Sequence, residues 1–217
     1  MEKNLRKKFI FMIFGAGKDH FPIIKRSYLK NNYNIVIHNK NSNKVKKFSN
    51  KFFKTSVYDV KEVAKICKLL KKNNIKIDNL ICRTTGPSIL SAHYVFNFFK
   101  IKRVSSELAK CVYSKSFLSK FLKKNRLPYI NSQSITKKFK KTLKGKWILK
   151  PDAPILGKKF IFMINNQKIS KHKLQIVVNN SHNKKANLSK YLQGLDINII
   201  FFIEKNKKKK KSFEYYE

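Results

Sequence analysis

KWILKPDAPILGKKFIF, residues 146–162, is the stretch from which the rest of the chain is read. Trp147, Ile148 and Leu149 form an apolar strand that delivers Lys150 and Pro151. A short loop with Asp152, Pro154 and Gly157 follows, then Lys158 and Lys159, then a second apolar strand over 160–164. Two strands joined by a glycine-bearing loop with paired lysines make a hairpin that can fold over a polyanion. The glycine lets backbone N–H groups approach phosphate oxygens closely, and the lysines supply point charge. The bland alternative is a solvated hairpin, because lysine recurs throughout the chain.

Upstream of this hairpin the pattern is α/β. An apolar run over 9–14 ends in Gly15-Ala16-Gly17, Phe21-Pro22 opens a helix to about residue 30, and YNIVIH over 33–38 is a second strand. Strand, glycine turn, helix and strand in that order mark a doubly wound unit. The turn lacks the full G-x-G-x-x-G spacing, so dinucleotide binding is not supported. A strand over 52–57 follows, then Asp59 caps a helix, with Glu62 closing a capping box and Val63, Ile66, Cys67 and Leu70 as the buried stripe. The next strand, 77–82, carries Arg83-Thr84-Thr85-Gly86-Pro87 at its end. Ser88 is read as the cap of a helix whose apolar face is Ile89, Ala92, Phe96 and Phe99. Ligands of open α/β sheets sit at the carboxyl ends of strands. Gly15, Gly17, Arg83, Thr84 and Gly86 are therefore candidates for one substrate crevice, with His20 beside the glycine turn. Turn residues accompanied by a surface arginine are the alternative.

A boundary near 104–107 divides the chain into units 1–105 and 106–205, followed by a lysine-rich tail, 206–217. In the second unit a helix over 115–124 has Phe117, Leu118, Phe121 and Leu122 as its buried stripe. Leu127-Pro128 ends it and starts an extended segment to residue 135. A helix from Ser170 to about residue 178 and strands over 186–191 and 197–204, flanking Gly194, complete the reading.

The formal net charge is +40, from 51 Lys+Arg against 11 Asp+Glu. Such a balance ordinarily points to nucleic acid. Here only Arg6, Arg26, Arg83, Arg103 and Arg126 are arginine, the preferred bidentate reader of phosphate and bases, and the lysines lie on every solvent face. Enrichment in Lys, Asn, Ile and Phe together is what AT-rich codons impose, so a nucleic-acid partner is not the expectation. Cys67, Cys82 and Cys111 are odd in number, lack a C-x-x-C and sit in apolar runs, which reads as reduced core thiols. His20, His38, His93, His172 and His182 have no ligand spacing. The first seventeen residues read as a buried strand rather than a secretory signal, and no run reaches membrane-span length, so a cytoplasmic protein is expected.

With these pieces in order, the chain resembles the ATP-grasp ligase superfamily, in its carbamoyl-phosphate-synthase-like branch. FGAGKDHFPII and ICRTTGPSILSA resemble the two glycine turns of the pre-ATP-grasp domain. YSKSFLSKFLKKNRLPYINSQSI resembles the opening of the ATP-grasp domain, KWILKPDAPILGKKFIF its lysine-proline strand and phosphate-covering loop, and YLQGLDINIIFFIEK its Gly-x-Glu strand. The resemblance implies a Rossmann-like parallel sheet followed by a partial ATP-grasp α+β domain. It implies ATP held between subdomains, an acyl phosphate formed on a small carboxylate, and attack on it by an amine. Lys115 and Lys150 match the family lysines on ATP phosphates; Gly157, Lys158 and Lys159 match the flexible loop; Asp196 replaces the glutamate of Gly-x-Glu. Three departures accompany these matches. The loop is glycine-poor, Ser189 stands where a glutamate near the adenosine is common, and the Mg²⁺-holding carboxylates lie downstream of where this chain stops. Glu204, Glu214 and Glu217 do not match their context, so the sequence supplies ATP contacts and no Mg²⁺ ligands. The tract 207–211 would be coded by adenines, and SFEYYE after it reads as out-of-frame or relict sequence. An incomplete ligase is thus the expectation. A basic nucleic-acid-binding protein and a non-catalytic interaction remnant are the alternatives.

Overall fold

The computed structural model describes residues 8–84, 86–101, 105–156 and 159–194. The expected strand over 197–204, the tail, and Gly157, Lys158 and Asp196 lie outside the described residues. Two four-stranded sheets organise the chain. The first is parallel, in the order β3-β2-β1-β4, built from β1 (Ile10–Phe14), β2 (Tyr33–His38), β3 (Lys51–Lys54) and β4 (Asn79–Cys82). A parallel sheet is covered on both faces, which accounts for the unbroken apolar runs of β1 and β2. Met12, Phe14, Ile35 and Ile37 point into one core with Val63, Cys67 and Leu70 of α3 (Val60–Lys72) and Ala92 and Val95 of α4 (Ser88–Phe98). Ile13 and Val36 point into the other, against Ile24 of α1 (Phe21–Leu29) and Val45 of the short α2 (Asn43–Lys46).

The second sheet is antiparallel, in the order β5-β8-β6-β7, from β5 (Ser132–Ile135), β6 (Lys146–Pro151), β7 (Phe162–Asn165) and β8 (Ala186–Lys190). Its alternation decides the site. Leu149 stands opposite Leu188 on the face covered by Leu174, Val177 and Val178 of α7 (Lys171–Asn179). Lys150 stands opposite Asn187, and Ile148 opposite Ser189, on the other face. Helices α5 (Ser106–Tyr113) and α6 (Lys115–Lys124) bridge the two halves, with α5 packing on both α4 and α6. The expected order, a Rossmann-like parallel sheet followed by a partial α+β unit, is the observed one.

Several local expectations are corrected. The third strand ends at Lys54, where its partner β2 ends at His38, and Ser56 then turns the chain by accepting from the Tyr58 amide. The fourth begins at Asn79; just ahead of it Asp78 donates its amide to the Ile10 carbonyl at 2.9 Å, and its carboxylate accepts from the Ile10 amide at 2.8 Å. Asp59 does cap α3, accepting from Lys61 and Glu62 amides. Glu62 closes no box; it pairs with Lys65 one turn on, at 2.6 Å. Ser88 is not a cap: Pro87 occupies that place, and the buried Ser88 hydroxyl donates to the Thr84 carbonyl at 2.9 Å. The buried face of α4 rotates to Ser88, Ser91, Ala92 and Val95, leaving Ile89 and Phe96 partly buried at its margin. The hairpin's second strand starts at Phe162, after Phe160 has taken a left-handed φ of 61°.

Candidate functional site

Among the described residues the polar face of the second sheet does not meet a packed layer. It opens into a cavity of about 560 Å³ between β6, β8 and α6. Lys150 enters it from β6, Asn187 and Ser189 from β8, Ser132 from β5, and Lys115 from the first turn of α6. Asn187 donates its amide to the Ser132 hydroxyl at 3.1 Å, which closes the polar floor. The opposite wall is apolar: Leu118 and Leu122 on α6, Tyr129 and Ile130 after it, and Leu192 beyond β8. The expected buried stripe of α6 is therefore corrected. Leu118 is 40% exposed, and the only buried residue of the helix is Ser116. An amphipathic period records which face is apolar, and here much of that face covers an open cavity rather than core.

Lys115 and Lys150 are half-buried, and each has its pKa lowered from the ordinary 10.5. Burial is the larger cause for Lys115, with the neighbouring Lys150 charge next, partly offset by Asp152; for Lys150 it is burial. Two partly desolvated cations on one apolar-walled cavity want an anion. The lining holds no carboxylate, and among the described residues no group of three His, Cys, Asp or Glu side chains could hold a metal ion. The described residues do not fit a Mg²⁺ site.

Asp152, fully buried directly after β6, ties that strand to the start of α6. Its carboxylate accepts from the Ser114 hydroxyl at 2.7 Å, the Ser116 amide at 2.7 Å and the Asn183 side chain at 2.6 Å. Its carbonyl takes the Lys115 amide at 3.1 Å. Sequence reading places Asp152 only as a loop residue; its position directly after the Lys-Pro pair, and the Ser-Lys-Ser that opens α6, were the available signals. The loop beyond it is pinned by the turn before β8. Pro154 bridges Ser181, the Ala153 amide donates to the Ser181 hydroxyl at 3.0 Å, and the His182 amide donates to the Ala153 carbonyl at 2.9 Å. Lys159 is exposed, away from the cavity lining, with its amide on the Leu156 carbonyl at 3.4 Å.

The proposed crevice residues split into two groups. Gly15 (φ +100°), Gly17, His20 and Arg83 come together at the ends of β1 and β4. A Cβ on Gly15 would lie 2.8 Å from His20 Nε2, and Arg83 Nη1 donates to the Asp19 carbonyl at 3.2 Å. Both ring nitrogens of His20 are buried and lack hydrogen-bond partners among the described residues. Burial, with Arg83 next, holds its pKa below the ordinary 6.5. Thr84 instead serves its own turn, its carbonyl accepting from Ser88 and its hydroxyl lying 3.5 Å from the Cys82 thiol. Gly86 (φ +72°) faces the second sheet's loop: a Cβ there would lie 2.7 Å from the Pro154 carbonyl oxygen.

Solved structures share the fold that carries this cavity. The N5-carboxyaminoimidazole synthetase of Staphylococcus aureus complexed with ADP has TM-score 0.58 at 14% identity, over 89% of this chain and 50% of that one. The L-amino acid ligase of Bacillus licheniformis has TM-score 0.61 at 10% identity, over 87% and 45%. The carboxyaminoimidazole ribonucleotide synthase of Aspergillus clavatus complexed with ATP has TM-score 0.56 at 13% identity, over 85% and 47%. No protein-family model and no curated protein matches the sequence. The likeness is one of fold, the ATP-grasp fold, and the chain spans about half the length of these enzymes. Among the described residues no helix is long and apolar enough to cross a membrane.

Proposed function

We propose, with an ATP-grasp fold as premise, that this chain binds ATP in the cavity between α6 and the second sheet. The observation that carries the reading is the pairing of two half-buried lysines with an apolar wall in one cavity. The phosphates lie at Lys115 and Lys150, and the base lies against Leu118, Leu122 and Ile130. Phosphoryl transfer is mostly positioning and charge neutralisation, and partly desolvated lysines supply both more strongly than exposed ones. The family resemblance assigns Gly157, Lys158 and Lys159 to a loop over the phosphates, although Lys159 is exposed and outside the cavity lining, and assigns Asp196 to the same nucleotide site. The crevice at Gly15, Gly17, His20 and Arg83, bordered by Thr84 and Gly86, takes a small carboxylate. Within a longer assembly this would be the substrate half of a carboxylate–amine ligase working through an acyl phosphate. The solved neighbours with ATP or ADP support the nucleotide part of this reading.

Calorimetric titration of the full chain with ATP, with and without magnesium, tests the site. Lys150→Met keeps the stem and removes the charge. One charge-assisted contact contributes about 1.5–3 kcal/mol, so the variant should bind about 10- to 150-fold more weakly. Absence of binding in the unmodified chain, or equal binding in Lys150→Met, would sink the proposal.

A further inference from the structure

Asp152 is a carboxylate with 0% exposure. It does not line the cavity. Its side chain makes three bonds to two segments: the start of α6, through its cap Ser114 and through Ser116, and the turn before β8, through Asn183. Its main chain adds two more ties, accepting from the Lys115 amide and donating to the Lys185 carbonyl, both at 3.1 Å. Lys115 lies between two of these anchors in sequence, and Lys150 lies one rigid proline before them. All three side-chain partners are donors, so only a carboxylate satisfies them together; an amide would turn its own N–H groups toward at least one of them.

The charge matters as well as the geometry. Two lysines sharing a partly desolvated cavity repel, and repulsion in such a place swings one ammonium out to solvent unless something holds it. The groups acting on Lys115 are Lys150, from β6, and Asp152; the other residues that β5 and β8 contribute to the cavity are uncharged. Asp152 also acts on Tyr113, at the end of α5, whose hydroxyl bonds His182 Nδ1 at 2.9 Å. The carboxylate thus serves the cavity from behind, offsetting the repulsion without occupying space where an anion binds.

We propose that Asp152 is a positioning residue that locks Lys115 and Lys150 together as a single anion-binding pair. The identity of the anion rests on the nucleotide reading above; the locking does not. Two measurements on Asp152→Asn keep them apart. The first is the pH dependence of Lys115 acetylation by acetic anhydride, read by peptide mass spectrometry on the folded protein. With the carboxylate gone and Lys150 still present, the Lys115 midpoint should move to lower pH, with faster labelling at pH 8. The second is ATP titration, in which affinity at pH 7.5 should fall at least tenfold. A folded Asp152→Asn protein with an unchanged Lys115 midpoint overturns the proposal whether or not ATP binds. Failure of the unmodified chain to bind ATP while the Lys115 midpoint moves overturns only the nucleotide reading. If Asp152→Asn does not fold, Asn183→Ala removes one donor and keeps the carboxylate. Lys115 labelling should then rise about threefold at pH 8, and an unchanged rate overturns the proposal.

Discussion

Gly86→Ala tests how the two halves of the molecule are held together. Gly86 has φ +72°, and its new methyl would lie 2.7 Å from the Pro154 carbonyl oxygen. That oxygen has little room to retreat: Pro154 is bridged to Ser181, the Ile155 amide reaches the Asn180 carbonyl at 3.4 Å, and Ala153 is bonded on both sides to the same turn. The left-handed backbone costs an alanine about 1–2 kcal/mol relative to glycine. Forcing a methyl into packed backbone adds about 1–3 kcal/mol. Gly145 isolates the first contribution, because it has φ +81° and, among the described residues, nothing lies within 4 Å of its Cβ position. Urea unfolding of both variants should give a loss of about 1–2 kcal/mol for Gly145→Ala and about 2–5 for Gly86→Ala. The Gly86 variant should also expose the 152–162 loop to limited proteolysis, since the substitution pushes on its first half. Equal losses in the two variants, with unchanged proteolysis, would refute the claim that this loop is braced on the β4–α4 turn.

Three further outcomes are expected. ATP affinity should decline as pH rises through the lowered pKa values of Lys115 and Lys150, so the loss begins below pH 10.5; calorimetry showing flat affinity to pH 11 would contradict the site. Leu118→Ala should cost under about 0.5 kcal/mol of stability, as an exposed substitution does, yet weaken ATP. Leu149→Ala, in the core behind the same sheet, should cost about 2–5 kcal/mol; both are read by urea unfolding. His20 has a folded pKa below 6.5, so the unfolded chain binds more protons between the two values and stability falls as pH drops through that window. His20→Gln should flatten the decline, and an unchanged pH profile would show that His20 is not its source.

The parallel sheet and the order of its elements were legible because buried parallel strands write unbroken apolar runs, as in IFMIF and YNIVIH. The lysine pair was legible from order rather than composition, since Lys115 opens a helix and Lys150 closes a strand. What escaped was whatever depends on the partner across a gap. The period of α6 gave the correct apolar face, but nothing in Phe117, Leu118, Phe121 and Leu122 says whether that face meets core or cavity. The alternation in ANLSK did hold the answer: Ala186 and Leu188 face the core, and Asn187 and Ser189 face the site. Ser88 beside Pro87 looked like a cap because serine usually is one, yet the proline sits at the capping place and the hydroxyl turns back to Thr84. Asp152 was hidden by its neighbours in sequence, for its partners lie 31 to 38 positions away.

In a chain this rich in lysine, a site cannot be made by adding positive charge. Among the described residues one ion pair is formed, and many exposed lysines simply rest over aromatic faces, as Lys44 does over Phe21 at 4.3 Å. Two charges 4 Å apart interact by about 1 kcal/mol in water and about 4 kcal/mol at the permittivity effective near a protein surface. An anion therefore gains severalfold more from a lysine withdrawn into a cavity than from one in solvent, and salt screens it less. Lys115 and Lys150 are distinguished in this way, by desolvation, and desolvation alone would tend to neutralise or expel them. The buried Asp152 carboxylate counters that tendency at Lys115 without lining the cavity. Selectivity for one anion over the general polyanion affinity that +40 invites then follows from the apolar wall facing the lysines, which admits a ligand carrying both a charged end and a flat apolar one. Raising salt should accordingly abolish binding of a simple polyphosphate sooner than binding of ATP, and equal salt slopes for the two would mean that the apolar wall contributes nothing.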